Sequence, residues 1–278
     1  MNKTAIIVIS HNNKDITSKL CENIINTTKS DYDLLVVETG SKKEELTVYP
    51  TLWLPDGIRM TAGINEGIQY MFRKENYDLN INNIKTYYDY FWVLVNDTIL
   101  PDYDVLTPMI KQLKENKDIA EIHPSIQNSP SKYLRRKENG KIRYVSFCEI
   151  VCPLFTRDFI QFTEDVFDNK FKYGWGLDYF IPYLIYMNNK YLAICNEVEI
   201  IHEAGTTVKT GKDENFKSMT EQFNKSRENM LEVLKFKLGD KWYKKIFGTF
   251  PNTISKEEYI DWIINIGQNC KYEDLFGC

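Results

Sequence analysis

The sequence predicts an α/β protein with a mostly parallel central sheet flanked by helices and followed by C-terminal helices. Three observations carry this. Short runs such as "TAIIVIS" (4–10) and "YDLLVVE" (32–38) are apolar and branched without polar alternation, as strands covered on both faces require. The stretches between them repeat their apolar residues at helical spacing. Each run then ends in a polar or glycine-containing turn, so one edge of the sheet collects polar side chains.

The elements follow in order. After the first strand, "HNNKD" has helix-capping chemistry, and Ile16, Leu20, Ile24 and Ile25 give residues 15–29 one apolar helical face. The second strand runs into the turn "TGSKKEE", and "TLWLP" is a short third strand. "AGINEGIQYMFRK" (62–74) reads as a glycine-punctuated loop entering a helix, and "YYDYFWVLVND" as a fourth strand. Beyond Pro101, "DVLTPMIKQLKEN" is helical and "IAEIHPSI" extended, followed by a polar loop or irregular hairpin over 127–143. "YVSFCEIVCPLFTRDFI" alternates and turns helical near Thr156. "YGWGLDYFIPYLIYMNNK" is an aromatic loop leading into a helix with Pro182 near its first turn, and "YLAICNEVEIIHEAG" is the last strand. From about Glu214 the chain is charged and helical, with Met230, Leu231, Leu234 and Leu238 on one face. The expected division is an α/β unit over 1–213 and a helical extension over 214–278.

Composition narrows the function. A chain of 278 residues is long enough for a substantial core. With a net charge of -4 and no sustained basic stripe, nucleic acid is not an expected partner. The run "KYLRRKENGKIR" (132–143) reads as a solvated loop, the alternative being a phosphate-binding patch. None of the six cysteines forms a C-x-x-C pair, so buried free thiols in a reducing compartment are expected. No stretch reaches the ~20 apolar residues of a membrane span, and the first strand is too short for a signal-peptide core. The expected location is cytoplasmic. Neither G-x-G-x-x-G nor G-x-x-x-x-G-K-[ST] occurs, which speaks against a dinucleotide dehydrogenase and a P-loop nucleotidase.

The strand exits bring four polar segments to one edge: Ser10-His11-Asn12, Glu38-Thr39-Gly40-Ser41, Asn96-Asp97-Thr98 and His202-Glu203. Asp97 suits a hard divalent cation bridging a diphosphate, or else caps its own loop. Glu38 could accept from a base N–H or a ribose hydroxyl, with Gly40 supplying a positive φ, or belong to an ordinary turn. Gly63, Asn65 and Gly67 would place backbone amides and a helix N-terminus at an anionic or polyhydroxyl ligand. Trp175, bracketed by Gly174 and Gly176, offers a stacking wall, and Asp178 is either a general base or a helix cap. His202 is a structural histidine or completes a metal site with Asp97. The segment 205–216 could close over a ligand, with Lys209 or Lys212 meeting phosphates.

Taken together these residues resemble the nucleotide-sugar-dependent glycosyltransferases of the Rossmann-like glycosyltransferase-A fold, close to the family 2 group. The resemblance spans residues 4 to about 210 and rests on "IIVISHNN", "VVETGSKKE", "AGINEGI", "LVNDT" and "GWGLD", in that order, with His202 after them. It implies a catalytic domain over 1–213 that transfers a sugar from a nucleoside diphosphate to a hydroxyl of a glycan or other acceptor, with inversion. It implies that Ser10, His11, Asn12, Glu38, Gly63, Asn65, Asn96 and Asp97 bind the donor and that Asp97 and His202 hold Mn²⁺ or Mg²⁺. Trp175 and Gly176 would meet the acceptor and Asp178 would be the base. Here Val95 stands where a first metal-binding Asp is common, Leu177 where relatives carry Glu, and Glu38 in place of Asp. Two other readings stay open: a sugar-phosphate nucleotidyltransferase, whose glycine-rich loop after the first strand is missing from "SHNNKD", and a non-catalytic sugar-binding protein.

Overall fold

A computed structural model describes residues 3–54, 60–81, 87–163, 167–209 and 216–250. Its strands are β1 Lys3–Ser10, β2 Tyr32–Thr39, β3 Thr51–Leu54, β4 Tyr88–Val95, β5 Thr98–Ile99, β6 Ile119–Ile126, β7 Ile142–Tyr144, β8 Leu154–Thr156 and β9 Tyr191–His202. Its helices are α1 Lys14–Thr27, α2 Met60–Ile81, α3 Leu106–Glu115, α4 Arg157–Phe162, α5 Leu177–Met187, α6 Thr206–Lys209, α7 Met219–Leu238 and α8 Trp242–Phe247.

The strands form one sheet in the order β3-β2-β1-β4-β8-β6-β9-β5, with β7 beside β9. The first four neighbours are parallel, as are β6 and β9. The sheet as a whole is mixed, because β8 runs antiparallel between β4 and β6, and β5 and β7 run antiparallel to β9. The apolar strands are covered on both faces: Ala5 through Val8 and Phe91 through Leu94 are fully buried. Helical spacing does the covering. Thr17, Leu20, Cys21 and Ile24 turn inward from α1, and Leu106, Met109, Ile110 and Leu113 from α3.

Three elements differ from the sequence reading. "AGINEG" is not a loop: Gly63, Asn65 and Gly67 lie inside α2. A Cβ on Gly63 would fall 2.4 Å from Thr39 Cγ2, and one on Gly67 2.6 Å from Ile7 Cγ2, so the glycines let the helix approach β1 and β2. Pro182 sits in the second turn of α5 rather than the first. Residues 206–209 of the expected mobile segment form a helical turn, whereas 210–215, including Lys212, lie outside the described residues.

Residues 216–250 join the same core. Met230, Val233 and Leu234 of α7 and Trp242 and Ile246 of α8 are buried in it, and Trp242 packs edge-on against Tyr179 of α5. Ser218 caps α7 by accepting from the Glu221 N–H, and Glu221 accepts from the Lys217 N–H. Cys21, Cys148, Cys152 and Cys195 are buried and free; Cys270 and Cys278 lie outside the described residues. Among the described residues no helix is long and apolar enough to cross a membrane.

Candidate functional site

The four polar segments meet at the carboxyl edge of the sheet. At the β1–β2 end the contacts are neutral and local. His11 Nδ1 lies 2.6 Å from the carbonyl of Thr39, an acceptor that fixes the hydrogen on Nδ1. The Asn12 N–H donates to Ser41 Oγ, and Asn12 Oδ1 accepts from the Lys42 N–H at 2.8 Å. Thr39 Oγ1 donates to the Ser10 carbonyl, and Asn96 Nδ2 donates to Thr17 Oγ1 at 3.1 Å and reaches Ser10 Oγ at 3.5 Å. Gly40 has the expected positive φ, 73°.

Glu38 faces inward from β2 and is fully buried, its Oε2 accepting from Ser41 Oγ at 2.6 Å. Burial pushes its carboxyl above the usual range, against the hydrogen bonds from Ser41 and Ser10. Ser10, Asn12 and Asn96 are buried as well. Most of the expected donor-binding side chains therefore hold one another and set the backbone of the edge.

Two further residues on that list have other partners. Gly63 is committed to the α2–β2 contact, and Asn65 is committed to the loop before α5. Asn65 Nδ2 donates to the Phe167 carbonyl and to Asn169 Oδ1, both at 2.7 Å, and Asn65 Oδ1 accepts from the Phe167 N–H. Neither presents a free group at the edge.

The β4–β9 end is dense in charge. Asp97 lies in the turn between β4 and β5, and β5 pairs antiparallel with β9 so that Thr98 stands opposite His202. This register brings His202 Nε2 within 3.4 Å of Asp97 Oδ1, while Asp97 Oδ2 accepts from the Gly205 N–H. The other ring nitrogen, Nδ1, lies 3.2 Å from Glu149 Oε2. Burial disfavours the imidazolium, but the hydrogen bonds and charges of Asp97 and Glu149 outweigh it and raise His202 to about 9.

Asp178 enters from the first turn of α5. It does not cap its own helix, whose N-cap is Gly176 in a left-handed conformation with φ 94°. Instead Asp178 Oδ1 accepts from the Ile150 N–H at 2.8 Å, and Oδ2 has no partner among the described residues. Burial raises its carboxyl well above the ordinary value; the Ile150 N–H opposes this, Glu149 and Glu121 add to it, and His202 opposes it.

Trp175 is half-buried and stands edge-on to Phe223 of α7, ring centroids 5.1 Å apart. Gly176 is buried, and a Cβ there would meet Phe171 at 2.6 Å. Nearby Tyr173 packs on Phe216, so an aromatic wall built partly from α7 borders the acidic end. Lys209 is exposed in α6.

Asp97 Oδ1 and His202 Nε2 fit as neighbouring ligands of one divalent cation. Their 3.4 Å separation is close to the about 3 Å between adjacent ligands of an octahedral ion with bonds of about 2.1 Å. Glu149 sits on the opposite ring nitrogen and does not share that position. Among the described residues no three such side chains form a ready metal cage, so further ligands would be diphosphate oxygens and water.

Glu149 escaped the sequence reading, as did Ser129, whose Oγ donates to Glu149 Oε1 at 3.0 Å. The available signal was the lone acid in "SFCEIVC", a charge in an apolar run that needs a partner once buried. The "KYLRRKENGKIR" run is exposed over residues 135–141, as a solvated loop should be, and it is pinned at several points: Arg135 Nε donates to the Ser129 carbonyl, and Arg143 Nη2, from β7, to the carbonyls of Tyr133 and Arg135. A concavity of about 770 Å³ lies over this run, lined by Arg136, Lys137, Lys141 and Asn196 among others. Neither His202 nor the acids around it line this concavity, so volume alone does not mark the chemistry.

No family model matches the chain, and no curated protein does. Solved structures do. GalNAc-T7, crystallised with UDP, GalNAc and Mn²⁺, superposes with a TM-score of 0.56 at 12% identity over 97% of this chain and 55% of its own. The chain thus spans about half the length of that protein. The mannosyltransferase PcManGT from Pyrobaculum calidifontis, in complex with GDP-Man and Mn²⁺, superposes with a TM-score of 0.53 at 12% identity over 98% of this chain and 76% of its own. Both neighbours are glycosyltransferases, and the likeness identifies the architecture: this chain has the glycosyltransferase-A fold.

Proposed function

We propose that the protein is an inverting glycosyltransferase that moves a sugar from a nucleoside diphosphate to an acceptor hydroxyl, within a catalytic domain of residues 1–213. The observation that carries the reading is the convergence of Asp97, His202 and Asp178 at the carboxyl edge of the sheet, where an open α/β fold binds its ligands. The neighbours' complexes with UDP or GDP-Man and Mn²⁺ support a nucleotide-sugar donor and a divalent cation, Mn²⁺ or Mg²⁺.

Asp178 receives the proton of the acceptor hydroxyl. The acceptor oxygen bonds to the anomeric carbon as the bond from that carbon to the phosphate oxygen breaks, and the nucleoside diphosphate leaves with the electron pair. Burial raises this carboxyl, which makes its ionised form a stronger proton acceptor than an ordinary carboxylate. The Ile150 N–H holds Oδ1, which leaves Oδ2 to take the proton. Asp97 and His202 would hold the cation, which when bound neutralises charge on the departing diphosphate. The half-buried Trp175, supported by Phe223, offers a face to a sugar ring. The segment 10–12 and Asn96 shape the donor's bed, chiefly through backbone.

A panel of nucleotide sugars with candidate acceptors, with and without Mn²⁺, tests the reading. Transfer or donor hydrolysis is expected for at least one donor. Asp97→Ala should weaken that donor's binding on the order of 100-fold in Mn²⁺, the scale of removing one partner of a buried charge pair, and change it little in EDTA. Equal loss under both conditions would remove the cation from the reading. Pyrophosphate exchange alone would favour a nucleotidyltransferase, and sugar binding without turnover a lectin-like role.

A further inference from the structure

We infer that Glu149 is a positioning residue that holds His202 so that Nε2, beside Asp97, faces the divalent cation; the inference rests on the cation-binding role proposed above for Asp97 and His202. A carboxylate can only accept, so Glu149 Oε2, at 3.2 Å, holds a hydrogen on Nδ1, and the hydrogen on Nε2, on the Asp97 side, is the one a cation would displace. Glu149 is itself anchored, since its Oε1 accepts from Ser129 Oγ at 3.0 Å. The His202 backbone is clamped separately: Asn128 Oδ1 accepts from the His202 N–H at 3.0 Å, and Asn128 Nδ2 donates to the His202 carbonyl at 2.8 Å. With its main chain tied by Asn128, the ring needs one more contact to fix its rotation, and Glu149 supplies it.

The same short stretch ties the rest of the site together. The next residue, Ile150, donates its N–H to Asp178 Oδ1, and the Val151 carbonyl accepts from the Val95 N–H at 3.0 Å, two residues before Asp97. Residues 149–151 therefore set the base, the histidine and the strand leading to Asp97 in one frame. A shift of Glu149 is felt at His202 first, because that contact runs through a side chain and the other two run through backbone.

The test is the affinity for Mn²⁺, read by electron paramagnetic resonance of the free ion, with the full chain alone and with UDP or GDP. Glu149→Ala should weaken Mn²⁺ binding about 10–100-fold, the usual scale for losing the hydrogen-bond partner of a metal-bound histidine. Nucleotide binding in EDTA should be unchanged. Glu149→Gln, which can still accept from Nδ1–H, should restore most of the affinity, a rescue that a purely electrostatic or merely structural role does not produce. Ser129→Ala, which frees one oxygen of Glu149, should give a smaller loss and serves if Glu149→Ala fails to fold. Wild-type Mn²⁺ affinity in Glu149→Ala, or in Ser129→Ala where that variant stands in, would overturn the inference and leave the cation site standing. A wild-type chain that binds no Mn²⁺ under any of these conditions would overturn the cation site itself, and the inference with it.

Discussion

At the β1–β2 end of the sheet edge, Ser10, His11, Asn12, Thr39 and Ser41 are joined through hydroxyls, amides and backbone groups; at the β4–β9 end, Asp97 and Glu149 flank one imidazole and Asp178 is held by the N–H of Ile150, next to Glu149. The first group contains one ionisable side chain besides Glu38, and its hydrogen bonds run among these residues and to their neighbours Thr17, Glu38, Lys42 and Trp53. The second leaves Asp178 Oδ2 open and holds two groups shifted upward in pKa, Asp178 by burial and His202 by Asp97 and Glu149. The neutral end sets geometry and the charged end is built to exchange protons and charge. Burial makes both effects larger, since a low dielectric strengthens hydrogen bonds and charge coupling alike.

The largest expected effect comes from breaking the charged end at its base. Asp178→Asn keeps an acceptor for the Ile150 N–H, so fold and donor binding should survive. The rate of transfer should fall by about 10²–10⁴, the contribution of a positioned base. Steady-state kcat against donor KM makes the measurement: kcat should collapse while KM moves little. Near wild-type kcat would remove Asp178 from the mechanism and turn attention to Asp97 and Glu149, the carboxylates on His202.

An intermediate effect, on stability, breaks the neutral end. In Gly63→Ala the new Cβ would stand 2.4 Å from Thr39 Cγ2, and overpacking of this kind costs about 1–3 kcal/mol. For a chain of this length each kcal/mol lowers Tm by about 2–4 °C. Thr39 is a hub of that end, since its carbonyl faces His11 and its hydroxyl donates to Ser10. Adding Thr39→Ser removes the clashing methyl and keeps the hydroxyl, and should return part of the lost Tm by calorimetry. Without that recovery, the close-packing account of Gly63 fails.

The two ends were also unequally legible in the sequence. The parallel strands β1, β2 and β4 are uninterrupted apolar runs that only a two-sided cover explains, and the turns after them could be read directly. "AGINEG" was misread because glycine marks loops more often than helices, whereas here the closeness of α2 to Val37, Thr39 and Ile7 demands it. The insertion of antiparallel β8 rests on the pairing of Leu154–Thr156 with β4 and β6, too short a run to announce its neighbours. Glu149 lies in a buried loop without turn chemistry, and nothing local ties it to a histidine 53 residues on. Asp97 and His202 could be placed on one edge because each ends a strand. Their contact at 3.4 Å depends on the β5–β9 register, which a two-residue strand does not advertise.

The smallest effect is a slope with pH, and it tests whether the charged end extends into the core. On β6, Glu121 and His123 are both buried, with Oε1 and Nε2 3.3 Å apart. Burial raises Glu121 to about 8 and lowers His123 to about 3, so near neutral pH the pair is a protonated carboxyl and a neutral imidazole. Glu121 keeps a proton in the folded chain that the unfolded chain releases near its ordinary 4.5, so its contribution to stability declines as pH rises from there to about 8. His123 does the opposite: the unfolded chain takes up a proton near 6.5 that the folded chain refuses, so its contribution grows with pH up to that value. The two oppose each other between about 4.5 and 6.5, and from there to about 8 Glu121 acts without that opposition. Tm should therefore fall between pH 6.5 and 8 in the wild-type chain and fall less in Glu121→Gln, which keeps the shape and cannot ionise. An equal slope in both chains would confine the charged end to the sheet edge. A difference would show that Glu121 holds its proton in the folded core near neutral pH, so that the titrating groups extend from the sheet edge into β6.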